Sequence, residues 1–159
     1  MASRPPHGGP SRAGFTLIEM AIVVVIGGIL IAMAVLVFSG ANTRMWARKA
    51  AQVFSRDLAL ARSMAVRGRE RVTIRFNEGA LWYSVTTASG RTVATRRFGP
   101  TGDVHLSAVT INQPGDSLVF SSRGVGTLSG ALGTATFSAG TMTYQVSFNA
   151  IGASQVGEP

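Results

Sequence analysis

The chain contains few residues that could catalyse a reaction. Its 159 residues include two histidines and no cysteine, which excludes thiol chemistry, disulfides and Cys-ligated zinc. Asp103 and His105 share one face of a predicted strand, but no nucleophile accompanies them, and they are best interpreted as a surface salt bridge or a solvated pair. The seven carboxylates lack EF-hand or zinc spacing. We therefore expect no catalytic residue, metal site, cofactor or small-molecule substrate, and the protein is not expected to be an enzyme.

The most informative residues lie near the N-terminus. Residues 14–19 read GFTLIE, and the nineteen residues 20–38 that follow carry no charge. This run is longer than the apolar region of a secretory signal peptide, and the residues after it form a poor cleavage site. As a helix it would extend about 28–36 Å, enough to cross the hydrocarbon core of a bilayer. The sequence thus predicts one membrane span that the protein retains.

The leader, with Arg4 and Arg12, and the GFTLIE run together resemble the N-terminus of type IV prepilins. The resemblance implies that a prepilin peptidase cuts between Gly14 and Phe15 and that Phe15 is then N-methylated. It also divides the chain into a cleaved leader at 1–14, a transmembrane and filament-core helix at 15–40, and a globular domain at 41–159.

Glu19 lies within the apolar segment, where a carboxylate is costly in lipid. One interpretation places it at headgroup depth, one turn into the helix. The resemblance implies another, in which its charge meets the freed amino group of Phe15 on an adjacent subunit. Burying both charges together costs less than burying either alone. On that interpretation Glu19 sets the register of assembly.

The helix is predicted to continue from residue 41 to residue 67 as an amphipathic segment. Gly68 supplies a stop after it. We expect the apolar face to pack on the domain's own sheet and the basic face to be solvated, with a lipid-headgroup or DNA surface as the alternative. The apolar stripe is Ala47, Ala51, Phe54, Leu58, Ala61 and Ala65, and the basic face is Arg44, Arg48, Lys49, Arg56, Arg62 and Arg67.

After Gly68 the apolar pattern changes to alternation. Six or seven short strands are predicted, and the turns between them are too short for parallel crossovers. The fold class is therefore α+β, with a long N-terminal helix, transmembrane in its first half, packed on a small antiparallel β domain. The predicted runs are 71–76, 81–85, 91–98, 104–111, 117–121, 134–137 and 142–148.

The C-terminal half carries a second resemblance. Leu118-Val119-Phe120, then Gly124, a glycine-rich hairpin and residues 144–152 (YQVSFNAIG) resemble the GspH/FimT group of minor pilins and pseudopilins. The resemblance implies a pilin-like fold, in which the helix packs against two small β-sheets.

Charge gives a weaker indication of partners. The chain has fifteen Lys plus Arg against seven Asp plus Glu, a net charge of +8, and removal of Arg4 and Arg12 leaves thirteen against seven, or +6. DNA-uptake members of the resembled group carry an arginine-bearing tail after the last glycine, whereas residues 153–159 contain no base. Arg91, Arg96 and Arg97 could form a basic surface, but nucleic acid is not an expected partner.

Orientation follows from the leader rather than from the charge count. Arg44, Arg48 and Lys49 lie just beyond the span, against the positive-inside rule. Large C-terminal domains nevertheless translocate despite such charges, and the prepilin peptidase acts at the cytoplasmic face. We therefore expect a single-pass protein of the inner membrane whose domain lies in the periplasm and enters a periplasmic or extracellular filament.

Together these features predict a minor pilin or pseudopilin. It would be a structural subunit of a type II secretion pseudopilus or of a type IV pilus tip or priming complex, with the prepilin peptidase and other minor and major subunits as partners. The alternatives are a DNA-binding minor pilin for DNA uptake and an ordinary anchored periplasmic domain. The sequence leaves open the choice between secretion and pilus, and whether the helix melts at Gly27 and Gly28.

Overall fold

The computed structural model describes residues 15–100, 102 and 104–159. The chain divides into two compact units, Met1–Phe38 and Ser39–Pro159. The elements found in the described residues are α1 (Leu17–Gly68), β1 (Val72–Asn77), β2 (Trp82–Thr87), β3 (Thr92–Arg97), β4 (Ala108–Ile111), a 3-10 turn (Pro114–Asp116), β5 (Ser117–Phe120), β6 (Gly126–Thr127), β7 (Gly133–Ala139), β8 (Met142–Phe148) and β9 (Ser154–Gly157).

Helix α1 ends where the sequence predicts. It has Arg67 in its last turn and stops at Gly68, and it is continuous through Gly27 and Gly28. A base in the last turn complements the negative end of the helix dipole. All six residues of the predicted apolar stripe are fully buried, together with Ala50. The second half of α1 is therefore the amphipathic helix that the spacing indicated.

The strands form two antiparallel sheets in the second unit. The first has the order β3-β2-β1-β5-β6 and the second the order β4-β7-β8-β9, with every paired neighbour antiparallel. Buried residues alternate with half-buried ones along β7 and β2, as expected for sheets covered on one face. The α+β class with an antiparallel β domain is confirmed.

Phe54 of α1 joins the two sheets. Its ring lies 5.4 Å from that of Phe76 and 5.5 Å from that of Tyr83, both in the first sheet. It also lies 5.5 Å from Phe137 and 5.9 Å from Phe148, both in the second sheet. Aromatic pairs at these separations attract each other beyond their area burial. One helical side chain thus fixes the helix and both sheets around a common core.

The strand prediction was wrong in two respects: one strand was predicted too long, and two short strands were not predicted. Only Ala108–Ile111 of the predicted run 104–111 is a strand, because the Leu106 N–H donates to the Val104 carbonyl at 3.1 Å and turns the chain. Val104 and Leu106 are nevertheless both buried, which gives a loop the alternation of a strand. Strands β6 and β9 were missed, since a two-residue strand and a polar tail carry almost no alternation signal.

Candidate functional site

The described N-terminal segment is a helix whose apolar side chains are all exposed. Residues Leu17–Ala34 have a mean hydropathy of 2.6, and none of this stretch is buried. Phe15 and Leu17 are 84% and 88% exposed. Covering such side chains gains about 1.5–3 kcal/mol each, so the segment requires lipid or other helices around it. Its eighteen residues would extend about 27 Å, close to the thickness of a bilayer core.

Glu19 caps the N-terminus of this helix together with Thr16. Its Oε2 atom accepts hydrogen bonds from the Thr16 N–H at 2.8 Å and the Thr16 hydroxyl at 2.9 Å. In return, the Glu19 N–H donates to Thr16 Oγ1 at 3.3 Å. This reciprocal pattern is a capping box, which satisfies N–H groups that the first turn of a helix leaves unpaired. The Thr-x-x-Glu spacing that signals it is visible in the sequence, but the sequence interpretation considered only the charge of Glu19.

The processing site lies at the edge of the described residues. Phe15 is the first of them, whereas Gly14 and the rest of the leader lie outside. Cleavage between Gly14 and Phe15 and methylation of Phe15 therefore stay predictions.

Asp57 is a buried carboxylate that sequence reasoning missed. Its Oδ2 atom accepts hydrogen bonds from Arg96 Nε and from the Tyr83 hydroxyl, both at 2.8 Å, and its Oδ1 accepts one from Arg96 Nη2 at 3.1 Å. Burial and the adjacent Asp57 charge raise the pKa of Tyr83, which therefore stays a donor. Asp57 follows Phe54 by three residues and precedes Leu58, so its position on the apolar stripe was the available signal.

The three arginines considered as a basic surface do not act together. Arg96 is paired with Asp57, with 39% of its side chain exposed, and that hydrogen bond raises the pKa of the Arg96 guanidinium. Arg97 is exposed at the end of β3, and Arg91 is exposed just before its start. A strand rises about 3.3 Å per residue, so six residues separate Arg91 from Arg97 by roughly 20 Å. Of the three, Arg91 and Arg97 remain as exposed cations, and they lie at opposite ends of the strand.

The basic face of α1 contacts the C-terminal tail through Arg44. Arg44 Nη2 donates to Glu158 Oε1 at 2.6 Å, and the Tyr144 hydroxyl donates to the same oxygen at 2.8 Å. These bonds, that of Tyr144 first, lower the pKa of Glu158. Farther along, the hydroxyls of Ser55 and Ser154 are 2.7 Å apart. The tail that lacks bases thus contains strand β9, and hydrogen bonds join it to the helix near both ends of that strand.

Within residues 15–100, 102 and 104–159, no three His, Cys, Asp or Glu side chains are grouped to hold a metal ion. His105 packs against Trp46, with ring centroids 5.4 Å apart. Asp103, its predicted neighbour on the strand, lies outside the described residues. The feature of the described residues that bears most directly on function is the exposed helix with its capped start.

An apolar helical segment, exposed over Leu17–Ala34, on a chain that also carries a two-sheet domain, defines a membrane-anchored, pilin-like protein with a soluble C-terminal domain. The family model described as "Type II transport protein GspH" matches residues 50–152, and the one described as "Prokaryotic N-terminal methylation motif" matches residues 9–35. The first match covers more than half of the chain, so the chain belongs to the GspH family and is a minor pilin or pseudopilin. Proteins of this family are structural rather than enzymatic.

Two solved structures share the fold. The type IV minor pilin FimU of Pseudomonas aeruginosa is 19% identical, with a TM-score of 0.54 over 76% of this chain and 92% of that one. The minor pseudopilin EpsH from the type II secretion system of Vibrio cholerae is 14% identical, with a TM-score of 0.53 over 73% and 96%. At these identities the similarity supports the fold alone. No curated protein matches the chain significantly in sequence.

Proposed function

We propose that this protein joins the tip or priming complex of a type II secretion pseudopilus or a type IV pilus as a structural subunit. The observation that carries the proposal is the match to the methylation motif over residues 9–35, together with the exposed apolar helix that lies within it, on a chain of the GspH family. The β domain faces outward and selects the neighbouring subunits, while the helix enters the filament core.

In this proposal the prepilin peptidase removes residues 1–14, and Phe15 becomes the methylated N-terminus. The mature subunit is stored in the inner membrane with its domain in the periplasm. Moving the helix from lipid into a filament gains little hydrophobic energy, because lipid tails are as apolar as the helices that replace them. A force-generating ATPase is therefore expected to drive extraction of the subunit from the membrane. Specific contacts between subunits must then determine its position in the filament.

Glu19 is proposed to provide one such contact. The capping box holds its carboxylate at the very start of the helix, close in sequence to the residue that would carry the free amino group. The amino group of a neighbouring subunit, placed beside this carboxylate, would form an ion pair in the filament core, where water does not solvate either charge. That pairing fixes the axial step between subunits, because the two charges meet at only one register.

The intact mass of the membrane-extracted protein tests the proposal. In cells with an active prepilin peptidase we expect loss of residues 1–14 and the addition of one methyl group. Gly14→Val should block cleavage, because a branched side chain crowds a site built for glycine. Gly9→Val, a matched change within the leader, should leave processing unchanged. A parent protein that keeps its leader in such cells would contradict the proposal.

A further inference from the structure

The exposed face of α1 near its C-terminus lies beside two turns of the domain. The Gly126 N–H donates to the Ala150 carbonyl at 2.6 Å, which joins the turn that follows β5 to the turn that follows β8. An open groove of about 350 Å³ lies here, and we call it the α1 groove. It is lined by Ala59, Arg62, Ser63, Val66 and Arg67 of the helix and by Gly152 of the second turn.

Arg62 is held in place along this groove. A Cβ atom at Gly124 would lie 3.3 Å from Arg62 Cγ, and one at Gly152 would lie 3.3 Å from Arg62 Cδ. Both glycines have a positive φ, 74° and 72°, which glycine adopts at little cost. The stem of Arg62 therefore packs on both turns, although the side chain is exposed overall. A guanidinium on a stem that is already packed loses less entropy when it binds a ligand.

The two cations of the groove, Arg62 and Arg67, form no ion pair with any residue that the structure describes. The carboxylates nearest to them in the sequence bind other groups. Asp57 pairs with Arg96, and Glu70 accepts a hydrogen bond from the Ser89 N–H at 2.9 Å. A guanidinium can bind a carboxylate through two parallel hydrogen bonds. The groove can therefore accept carboxylates from another molecule.

Exposed apolar side chains accompany these cations. Val66 follows Arg62 by four residues, on the same side of the helix, and is 48% exposed. Ile151, which precedes Gly152, is 53% exposed. A protein segment with acidic groups beside an apolar side chain fits both features. The phosphates of a nucleic acid would bind the arginines but would leave the two apolar side chains uncovered.

The net charge of the domain disfavours a second copy of this chain as the ligand. Residues 39–159 contain thirteen Lys plus Arg against six Asp plus Glu, or +7. Two domains with this charge repel each other, whereas a surface of opposite charge is selected and binds faster. We therefore expect the partner to be acidic where it meets the groove.

We propose that the α1 groove binds an acidic segment, with at least one apolar side chain, of a different pilin-type subunit. Carboxylates of the segment pair with Arg62 and Arg67, and its apolar side chain covers Val66 and Ile151. The inference rests on the proposed function, because it takes the partner to be another subunit of the same filament.

Photo-cross-linking of the full-length protein tests this proposal in cells that have the prepilin peptidase and the filament genes. A photoreactive amino acid at Ile151 should form an adduct with another pilin-type subunit. Mass spectrometry should map the adduct to a segment with Asp or Glu beside an apolar residue. Arg62→Glu/Arg67→Glu should lower the yield of this adduct at least about tenfold, because like charges would then meet across the interface.

Arg91→Glu/Arg97→Glu is the matched control. Both arginines are exposed, the charge change is the same, and β3 lies at the opposite edge of the first sheet from β6. The yield, normalised to the amount of cleaved protein, should match that of the parent. Equal losses in the two double variants, or an unchanged yield in Arg62→Glu/Arg67→Glu, would overturn the proposal.

A charge swap separates a lost contact from a misfolded variant. Replacing the acidic residues of the mapped segment with arginine should restore the adduct to Arg62→Glu/Arg67→Glu, because opposite charges would meet again. A misfolded variant would not be rescued by a change in its partner. Failure of the swap to restore the adduct would contradict the pairing of the segment with Arg62 and Arg67.

Other ligands would give other results. An adduct with a second copy of this chain, or a mapped segment without acidic residues, would refute the proposal. Duplex DNA binding that is lost in Arg62→Glu/Arg67→Glu and kept in Arg91→Glu/Arg97→Glu, with no subunit adduct, would assign the groove to nucleic acid. A retained leader, seen in the intact mass, would contradict the proposed function itself, whereas a cleaved protein without an adduct at Ile151 would overturn only the role of the groove.

Discussion

Replacing Glu19 with alanine should weaken subunit association far more than the loss of a helix cap can explain. The carboxylate accepts two hydrogen bonds from Thr16, and losing such a cap costs about 1 kcal/mol. The proposed partner, the amino group of Phe15 on a neighbouring subunit, would be left as an unpaired buried charge, which costs about 3–5 kcal/mol. At about 1.4 kcal/mol per factor of ten, the charge term alone weakens association more than a hundredfold.

Glu19→Gln separates the cap from the charge. The oxygen of glutamine can still accept from the Thr16 N–H, because glutamine serves in capping boxes as glutamate does, but it cannot neutralise an ammonium group. We therefore expect Glu19→Gln to be nearly as defective as Glu19→Ala. Thr16→Val keeps the carboxylate and removes only the hydroxyl, so it should lose less than about tenfold.

Co-purification with other minor subunits from membranes measures these effects, with each yield normalised to the amount of cleaved protein. Cleavage between Gly14 and Phe15 should persist in Glu19→Ala and Glu19→Gln, since removing the charge makes insertion into lipid easier, and in Thr16→Val, which leaves the carboxylate in place. If Glu19→Gln co-purifies like the parent, the ion pair is wrong for this subunit and Glu19 acts as a helix cap. If Thr16→Val is as defective as Glu19→Ala, the cap rather than the charge controls assembly.

Three other predictions concern the domain. Arg96→Ala should lower the free energy of unfolding by about 2–3 kcal/mol in a denaturant titration, near the low end for a broken buried pair, because the arginine is 39% exposed; an unchanged midpoint would show that Asp57 does not need its partner. Gly133→Ala should cost about 1–3 kcal/mol by overpacking, since a Cβ there meets the ring of Phe148, whereas Gly130→Ala, with nothing within 4 Å, should be neutral; equal effects would refute this packing. Duplex DNA should bind only in the non-specific range of about 10⁻⁴–10⁻⁶ M and weaken steeply with salt, and tight binding in a mobility-shift assay would favour the DNA-uptake alternative.

The helix was predictable because its signals are local. The stripe from Ala47 to Ala65 has helical spacing, and Gly68 follows a basic last turn, so both the buried face and the end of α1 agree with the sequence. Such patterns depend only on residues a few positions apart. The antiparallel class followed from the short turns for the same reason.

The features that the sequence did not reveal depend on distant partners. Strand β9 exists because β8 offers a free edge to a polar tail, and the tail itself has little strand signal. Asp57 and Arg96 are 39 residues apart. A pattern of neighbouring residues therefore cannot show that Arg96, one of the three arginines predicted to be on the surface, forms an ion pair with a buried carboxylate. The capping box at Thr16 and Glu19 is different. Its Thr-x-x-Glu spacing is visible in the sequence, but the sequence-based interpretation of Glu19 considered only its charge.

Photo-cross-linking from the exposed helix tests the central claim most directly. A photoreactive amino acid at Ile26, which is 52% exposed within the apolar segment, should capture another pilin-type subunit in cells that have the prepilin peptidase and the filament genes. In cells without the peptidase the same probe should yield no such protein adduct, because the uncleaved subunit stays surrounded by lipid. Adducts to lipid alone in both strains, or identical protein adducts in both, would contradict assembly through the cleaved N-terminal helix.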